Sequence, residues 1–157
     1  MVPKNILFCT DFSPNSRPAC RLAADYAAAF GAELLILHVV SSRLLGYPTF
    51  EDRIMEDLAE LDQSIDQIVR EELETVAKGC SHGLPAVRTV LRSGQPAVEI
   101  VRFARKNSVG LIVVGTHGWT GLRHLLLGST AENVIRTAHC PVVAVKSVRT
   151  ASLAGSG

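Results

Sequence analysis

A chain of 157 residues fits one domain and can bury about two-thirds of its unfolded surface, so no disulfide or metal is needed to hold its core. Its 16 basic and 15 acidic residues leave a net charge of +1, without the basic excess of a nucleic-acid binder. No apolar run reaches the ~20 residues of a membrane span and the N-terminus lacks the apolar stretch of a signal peptide, so neither nucleic acid nor membrane is expected as a partner and the expected compartment is the cytoplasm.

Short apolar runs alternate with longer amphipathic stretches. Residues 6–9 (ILFC) form the first run. A stripe of period 3.6 follows through Ala19, Leu22, Ala23, Tyr26, Ala27 and Phe30, and Gly31 is placed to close that helix. Residues 34–37 (LLIL) are the second run, and residues 41–50, carrying Gly46 and Pro48, are a loop. A long stripe then runs from Ile54 and Leu58 through Leu61, Ile65, Ile68 and Val69 to Leu73 and Val76. It is read as a crossover helix lying on the sheet rather than as a coiled coil, because a strand follows it directly.

Residues 87–92 (VRTVLR) are less uniformly apolar, which suits an edge strand. Ala97, Ile100, Val101 and Ala104 mark a third helix, residues 111–114 (LIVV) a fourth strand, Ala131, Val134, Ile135 and Ala138 a fourth helix, and residues 142–145 (VVAV) a fifth strand. Five strands in strict alternation with four helices predict an α/β fold, a doubly wound parallel sheet with helices on both faces. The domain is taken as residues 1–147, and 148–157 as a flexible, small and polar tail. Cys9 and Cys20 fall on apolar faces and read as buried reduced thiols. Cys80 near His82, and His139 beside Cys140, lack the paired spacing of a zinc site, so no metal ligands are assigned.

The most informative segment begins where the fourth strand ends. It reads Gly115-Thr-His-Gly118, then nine residues, then Gly128-Ser129-Thr130. Glycines directly after a parallel strand let backbone N–H groups approach an anion closely. Ser129 with Glu132 has the spacing of a capping box, so the loop is expected to end on a helix N-terminus, where free N–H groups and the helix dipole favour phosphate. The same residues also suit a tight turn before a capped helix, and the bare spacing leaves both readings open. Arg123 lies inside the loop and either reaches a phosphate or points to solvent. His117 and His124 are read as loop residues, because nothing nearby supplies a nucleophile or a base–orienter pair.

The pattern G-x2-G-x9-G-S resembles the signature of ATP-binding members of the universal stress protein (UspA) family. The flanks resemble that family too: Thr10-Asp11-Phe12-Ser13 after the first strand, Leu37-His38-Val39-Val40 closing the second, Gly94-Gln95-Pro96 before the third helix, and Cys140-Pro141 opening the last strand. The resemblance implies a sheet order of 3-2-1-4-5, which sets strands one and four side by side at a ligand-binding switch point. It also implies residue roles. Asp11 holds the adenosine end, Val39 lines the adenine slot with Thr10 and Phe12 nearby, and Gly115 and Gly118 bracket the ribose–phosphate path. Gly128, Ser129 and Thr130 then hold the phosphates. Asp11 as a helix cap and Val39 as plain core lining are the structural alternatives. The chain departs from the family where Gly110 and Gln95 replace frequent aspartates, and Gln95 puts a carboxylate contact near the ribose in doubt.

The implied ligand is ATP, with Mg2+ compatible but unmarked because no carboxylate lies within the loop itself. An apolar fifth strand at a sheet edge invites pairing, so a homodimer through residues 142–146 is expected, with the C-terminal tail as the competing cover. Three functions follow: an ATP-binding regulatory or stress-response protein with little or no turnover, a slow ATP-hydrolysing enzyme, or a dimeric adaptor independent of nucleotide. The intact glycines and the absence of a catalytic set favour the first. The chain also lacks the phosphate-loop sequence G-x-x-x-x-G-K-[S/T] of common NTPases.

Overall fold

The computed structural model describes residues 2–41, 52–81, 83–118 and 127–146, with backbone alone for 52–60. Arg123, His124, His82, the expected loop at 42–50 and the expected tail at 148–157 lie outside the described residues.

The apolar runs become five parallel strands: β1 (Asn5–Cys9), β2 (Glu33–Val40), β3 (Val87–Ser93), β4 (Leu111–Gly115) and β5 (Val142–Val145). They pair in the order β3-β2-β1-β4-β5, with β3 and β5 at the edges. The helices are α1 (Arg17–Phe30), α2 (Asp52–Cys80), α3 (Pro96–Lys106) and α4 (Ser129–Thr137). Proline in the first turn of α1 and of α3 costs no hydrogen bond there, and Gly31 closes α1 in the left-handed conformation (φ 61°).

Alternation along each strand divides the core into two layers. Ile6, Phe8, Leu34, Ile36 and Val113 face one side and are covered by Ala19, Ala23 and Ala27 of α1 and by Leu73 and Ala77 of α2. Leu7, Leu35, Leu37, Ile112 and Val114 face the other, under Ala97, Ile100 and Phe103 of α3 and Ala131 and Val134 of α4. The alanine-rich face of α1 brings its backbone close to the sheet. The central strands, covered on both faces, account for the uninterrupted apolar runs. Among the described residues no helix is long and apolar enough to cross a membrane.

Two expectations are corrected. The long stripe of α2 does not lie wholly on the sheet. Leu73 and Ala77 are buried and Val69 and Val76 half-buried, whereas Leu61, Ile65 and Ile68 are exposed. The reason is length: 29 residues of helix span about 43 Å, against about 27 Å for the eight residues of β2. Within residues 61–80, where side chains are described, the buried positions fall in the C-terminal part of α2; the side chains of Ile54 and Leu58 lie outside the described residues. The second correction concerns cysteine. Cys20 is not a reduced thiol but is bonded to Cys80, 60 residues away. α1 and α2 cover the same face of the sheet, and the last residue of α2 comes down beside the buried face of α1. Cys9 and Cys140 remain free.

Candidate functional site

The connection from β1 runs to α1 on one face of the sheet, and the connection from β4 runs to α4 on the other. Because β1 and β4 are neighbours, the chain parts at their C-terminal ends and leaves a crevice. A cleft of about 530 Å³ occupies this position. Its rim is the turn after β1, its side the end of β2, and its floor the segments that leave β4 and enter α4.

The turn after β1 is held by short-range hydrogen bonds. The Thr10 amide donates to the Leu37 carbonyl at 2.9 Å, continuing the ladder. The Phe12 amide donates to Thr10 Oγ1 at 3.0 Å, and the Ser13 amide donates to Asp11 Oδ1 at 2.9 Å. This last bond makes Asp11 the head of an Asx turn rather than a cap of α1, whose N-cap residue is Ser16. Phe12 has φ 61°, an unusual conformation for a bulky residue, and its ring lies 4.4 Å from that of His38. Phe12 thus packs against the α1/α2 layer and does not line the cleft.

The glycine segment meets this turn across the cleft. A Cβ on Gly118 would lie 2.5 Å from Asp11 Oδ2, so a larger residue there must turn the carboxylate aside or shift the segment. The Gly118 carbonyl accepts from Asn15 Nδ2 at 3.0 Å, which ties it to the short helical turn (Pro14–Ser16) before α1. Gly128 donates its amide to the Thr116 carbonyl at 2.7 Å, and a Cβ there would come within 3.1 Å of that oxygen. The expected capping box is absent. Gly128 itself is the N-cap residue of α4, with extended φ −71° and ψ 153°, and its carbonyl accepts the Glu132 amide at 2.9 Å. Ser129 is therefore the first helical residue with no side-chain cap bond, and Glu132 pairs with Arg136 instead. Among the described residues the N-cap of α4 makes no side-chain bond to the helix's first N–H groups, an arrangement suited to an anion.

Burial pushes the thiol of Cys9, at the base of the cleft, far above its ordinary range, so it stays protonated at neutral pH. The Cys140 thiol is raised in the same direction by burial, opposed by a backbone hydrogen bond. Among the described residues no three His, Cys, Asp or Glu side chains gather as metal ligands.

A doubly wound sheet with a glycine-walled cleft at its switch point defines an α/β protein of the kind that takes small ligands at its strand ends. The chain belongs to the universal stress protein family, whose model matches residues 3–146. It is 41% identical over 144 residues to universal stress protein MJ0531 of Methanocaldococcus jannaschii, covering 91% of this chain and 82% of the relative. It is 31% identical to MJ0577 of the same organism over 153 residues, 91% of this chain and 94% of the relative. The solved structure of MJ0577 superposes with a TM-score of 0.81 at 29% identity over 96% of this chain and all of the other. A universal stress protein in complex with cAMP superposes at 0.66 (25% identity, 94% of this chain and 100% of the other). The Archaeoglobus fulgidus family member in complex with dAMP does so at 0.63 (25% identity, 93% of this chain and 100% of the other). Structural neighbours of this chain therefore bind adenine nucleotides.

Of the residues singled out in the sequence, Thr10, Asp11 and Val39 line the cleft from one side, and Gly115, Gly118, Gly128, Ser129 and Thr130 from the other. Arg123 is outside the described residues. Sequence reasoning missed Ile65 and Val69 of α2, Pro96 and Ile100 of α3, and His38, all of which also line the cleft. The signal for Pro96 was present: ligands meet a parallel sheet at its strand C-termini, and Gly94-Gln95-Pro96 follows β3 immediately. Ile65 and Val69 read only as members of an apolar stripe.

Proposed function

We propose that this chain holds ATP in the cleft at the β1/β4 switch point, with little or no turnover, and acts as a nucleotide-dependent stress-response regulator. The observation that carries the reading is that the start of α4 at Gly128-Ser129-Thr130, with Gly128 as its N-cap residue, meets the Asp11 carboxylate in one cleft, across a close approach at Gly118. The N–H groups and hydroxyls of Ser129 and Thr130, with the amide-rich path from Gly115 to Gly118, receive the phosphates. Asp11 receives ribose hydroxyls. The adenine sits against Val39, with Ile100 and Pro96 as apolar walls. Phe12 supports the turn from behind. The residues present fit a nucleotide, and Mg2+, where bound, is carried by the phosphates.

The reading is tested by thermal melting with and without MgATP. At a hundredfold excess over Kd, ATP stabilises the fold by about 2.7 kcal/mol, which for a domain of this size raises Tm by about 5–10 °C. An unchanged Tm at millimolar MgATP counts against the site. Release of ADP at more than a few turnovers per minute counts against a holding role.

The same reading includes a homodimer through β5. This strand is an edge of the sheet, and all four of its apolar residues, Val142 to Val145, are half-exposed. Bare apolar edges pair. Light scattering at micromolar concentration should give twice the chain mass of 16.9 kDa, and a monomer removes this part of the proposal.

A further inference from the structure

The Cys20–Cys80 bond joins two helices that both reach the cleft. On α1, Cys20 follows the cleft-lining Ser16 by about one helical turn. On α2, Ile65 and Val69 line the cleft, and Val69 stands about three turns before Cys80. Among the described residues, the hold of the protein on α2 begins at Val69 and lies beyond it. Val69 and Val76 are half-buried, Leu73 and Ala77 are buried, and Thr89 Oγ1 donates to Glu74 Oε1 at 2.8 Å. Leu61, Ile65 and Ile68 are exposed. The helix is therefore a lever: it is fixed at its C-terminal end, where the disulfide is its covalent tie to α1, and its cleft wall lies at the limit of the fixed part.

We infer that the Cys20–Cys80 pair is a redox switch on the cleft: the bonded form holds the α2 wall in place for ligand, and reduction frees the wall and weakens binding. The inference rests on the nucleotide reading above and adds a regulatory input to that site. Cys20 is buried, whereas Cys80 is half-buried and followed by the exposed Ser81, so Cys80 Sγ is the sulfur open to attack. A thiolate of a dithiol attacks it, the Sγ–Sγ bond breaks, and Cys20 leaves as a thiolate and takes a proton. The second thiol of the dithiol then closes its own disulfide and releases Cys80. Two electrons and two protons pass to the protein, and exchange with a small disulfide runs the step backwards. Cys9 and Cys140 are free, so a reductant acts on this one bond. In the reduced chain, ligand must itself order the wall, and that cost lowers its affinity. Coupling is reciprocal, so bound nucleotide must also resist reduction by the same factor.

The test is calorimetric titration of the full chain with ATP, oxidised and after treatment with a dithiol, at a temperature where circular dichroism shows both forms folded. Reduction is expected to lower the affinity about tenfold, within the ordinary range of coupling between sites. Saturating ATP is expected to raise the ratio of dithiol to its disulfide at half-reduction by the same factor. Cys80→Ser should bind like the reduced parent and ignore the dithiol. In the double variant Ile65→Ala, Val69→Ala the affinity should be lower at the outset and change little on reduction. Equal affinity of the oxidised and reduced parent overturns the inference while leaving the nucleotide site standing. So does a full tenfold response in the double variant, because the coupling then does not run through the α2 wall. Absence of ATP binding by the oxidised chain removes the underlying reading, and the inference with it.

Discussion

Replacing Gly118 by valine should weaken ATP binding by at least about a hundredfold, ~2.7 kcal/mol, while leaving the fold in place. The first side-chain carbon alone would stand 2.5 Å from Asp11 Oδ2. Neither partner moves freely. Asp11 Oδ1 is held by the Ser13 amide at 2.9 Å, and the Gly118 carbonyl by Asn15 at 3.0 Å. Relief must come from turning the carboxylate out of the cleft or lifting the glycine segment, and either change removes groups assigned to the ribose and phosphates. Gly118→Ala introduces the same contact and should show most of the loss. The position lies at the cleft rather than in either core layer, so the far-ultraviolet circular dichroism of both variants should match the parent. Unchanged ATP affinity in Gly118→Val would mean that nucleotide does not pass between Gly118 and Asp11.

The second large effect concerns the Cys20–Cys80 bond. Closing a loop across 60 residues lowers the entropy of the unfolded chain. In the chain-entropy model this contributes about 4 kcal/mol for a loop of that length, or about 8–16 °C in Tm for a domain of this size. The bond also lies where α2 is anchored, since its buried contacts are concentrated around Leu73 and Ala77. Melting with and without a reductant should show that difference, and Cys80→Ser should melt like the reduced parent. Thiol titration of the unreduced, denatured chain should give two groups, Cys9 and Cys140. Four titrating thiols, together with a Tm indifferent to reductant, would contradict the assignment.

The disulfide shows where a linear reading stops. Cys20 and Cys80 are both on apolar helix faces, and their pairing arises only when α1 and α2 cover the same side of one sheet. The strands were legible because those buried on both faces must be apolar throughout, and the lower apolarity of residues 87–92 correctly marked the edge strand β3. Helix stripes were legible in phase but not in extent. The periodicity of α2 continues through Leu61, Ile65 and Ile68 although no sheet lies under them. At the cleft, glycine spacing and the family's motifs identified the floor and the Asp11 rim. The Ser129 capping box failed because sequence spacing cannot tell whether the residue before a serine already takes the N-cap conformation, as Gly128 does. His38 was read only as part of the motif closing the second strand, because its bond to the Thr10 carbonyl joins residues distant in sequence.

The central claim is that the cleft binds ATP, and the most direct test is a calorimetric titration of nucleotide-stripped full-length protein with ATP. The account expects saturable binding at one ATP per chain. Absence of saturable binding, with the protein folded by circular dichroism, would contradict it.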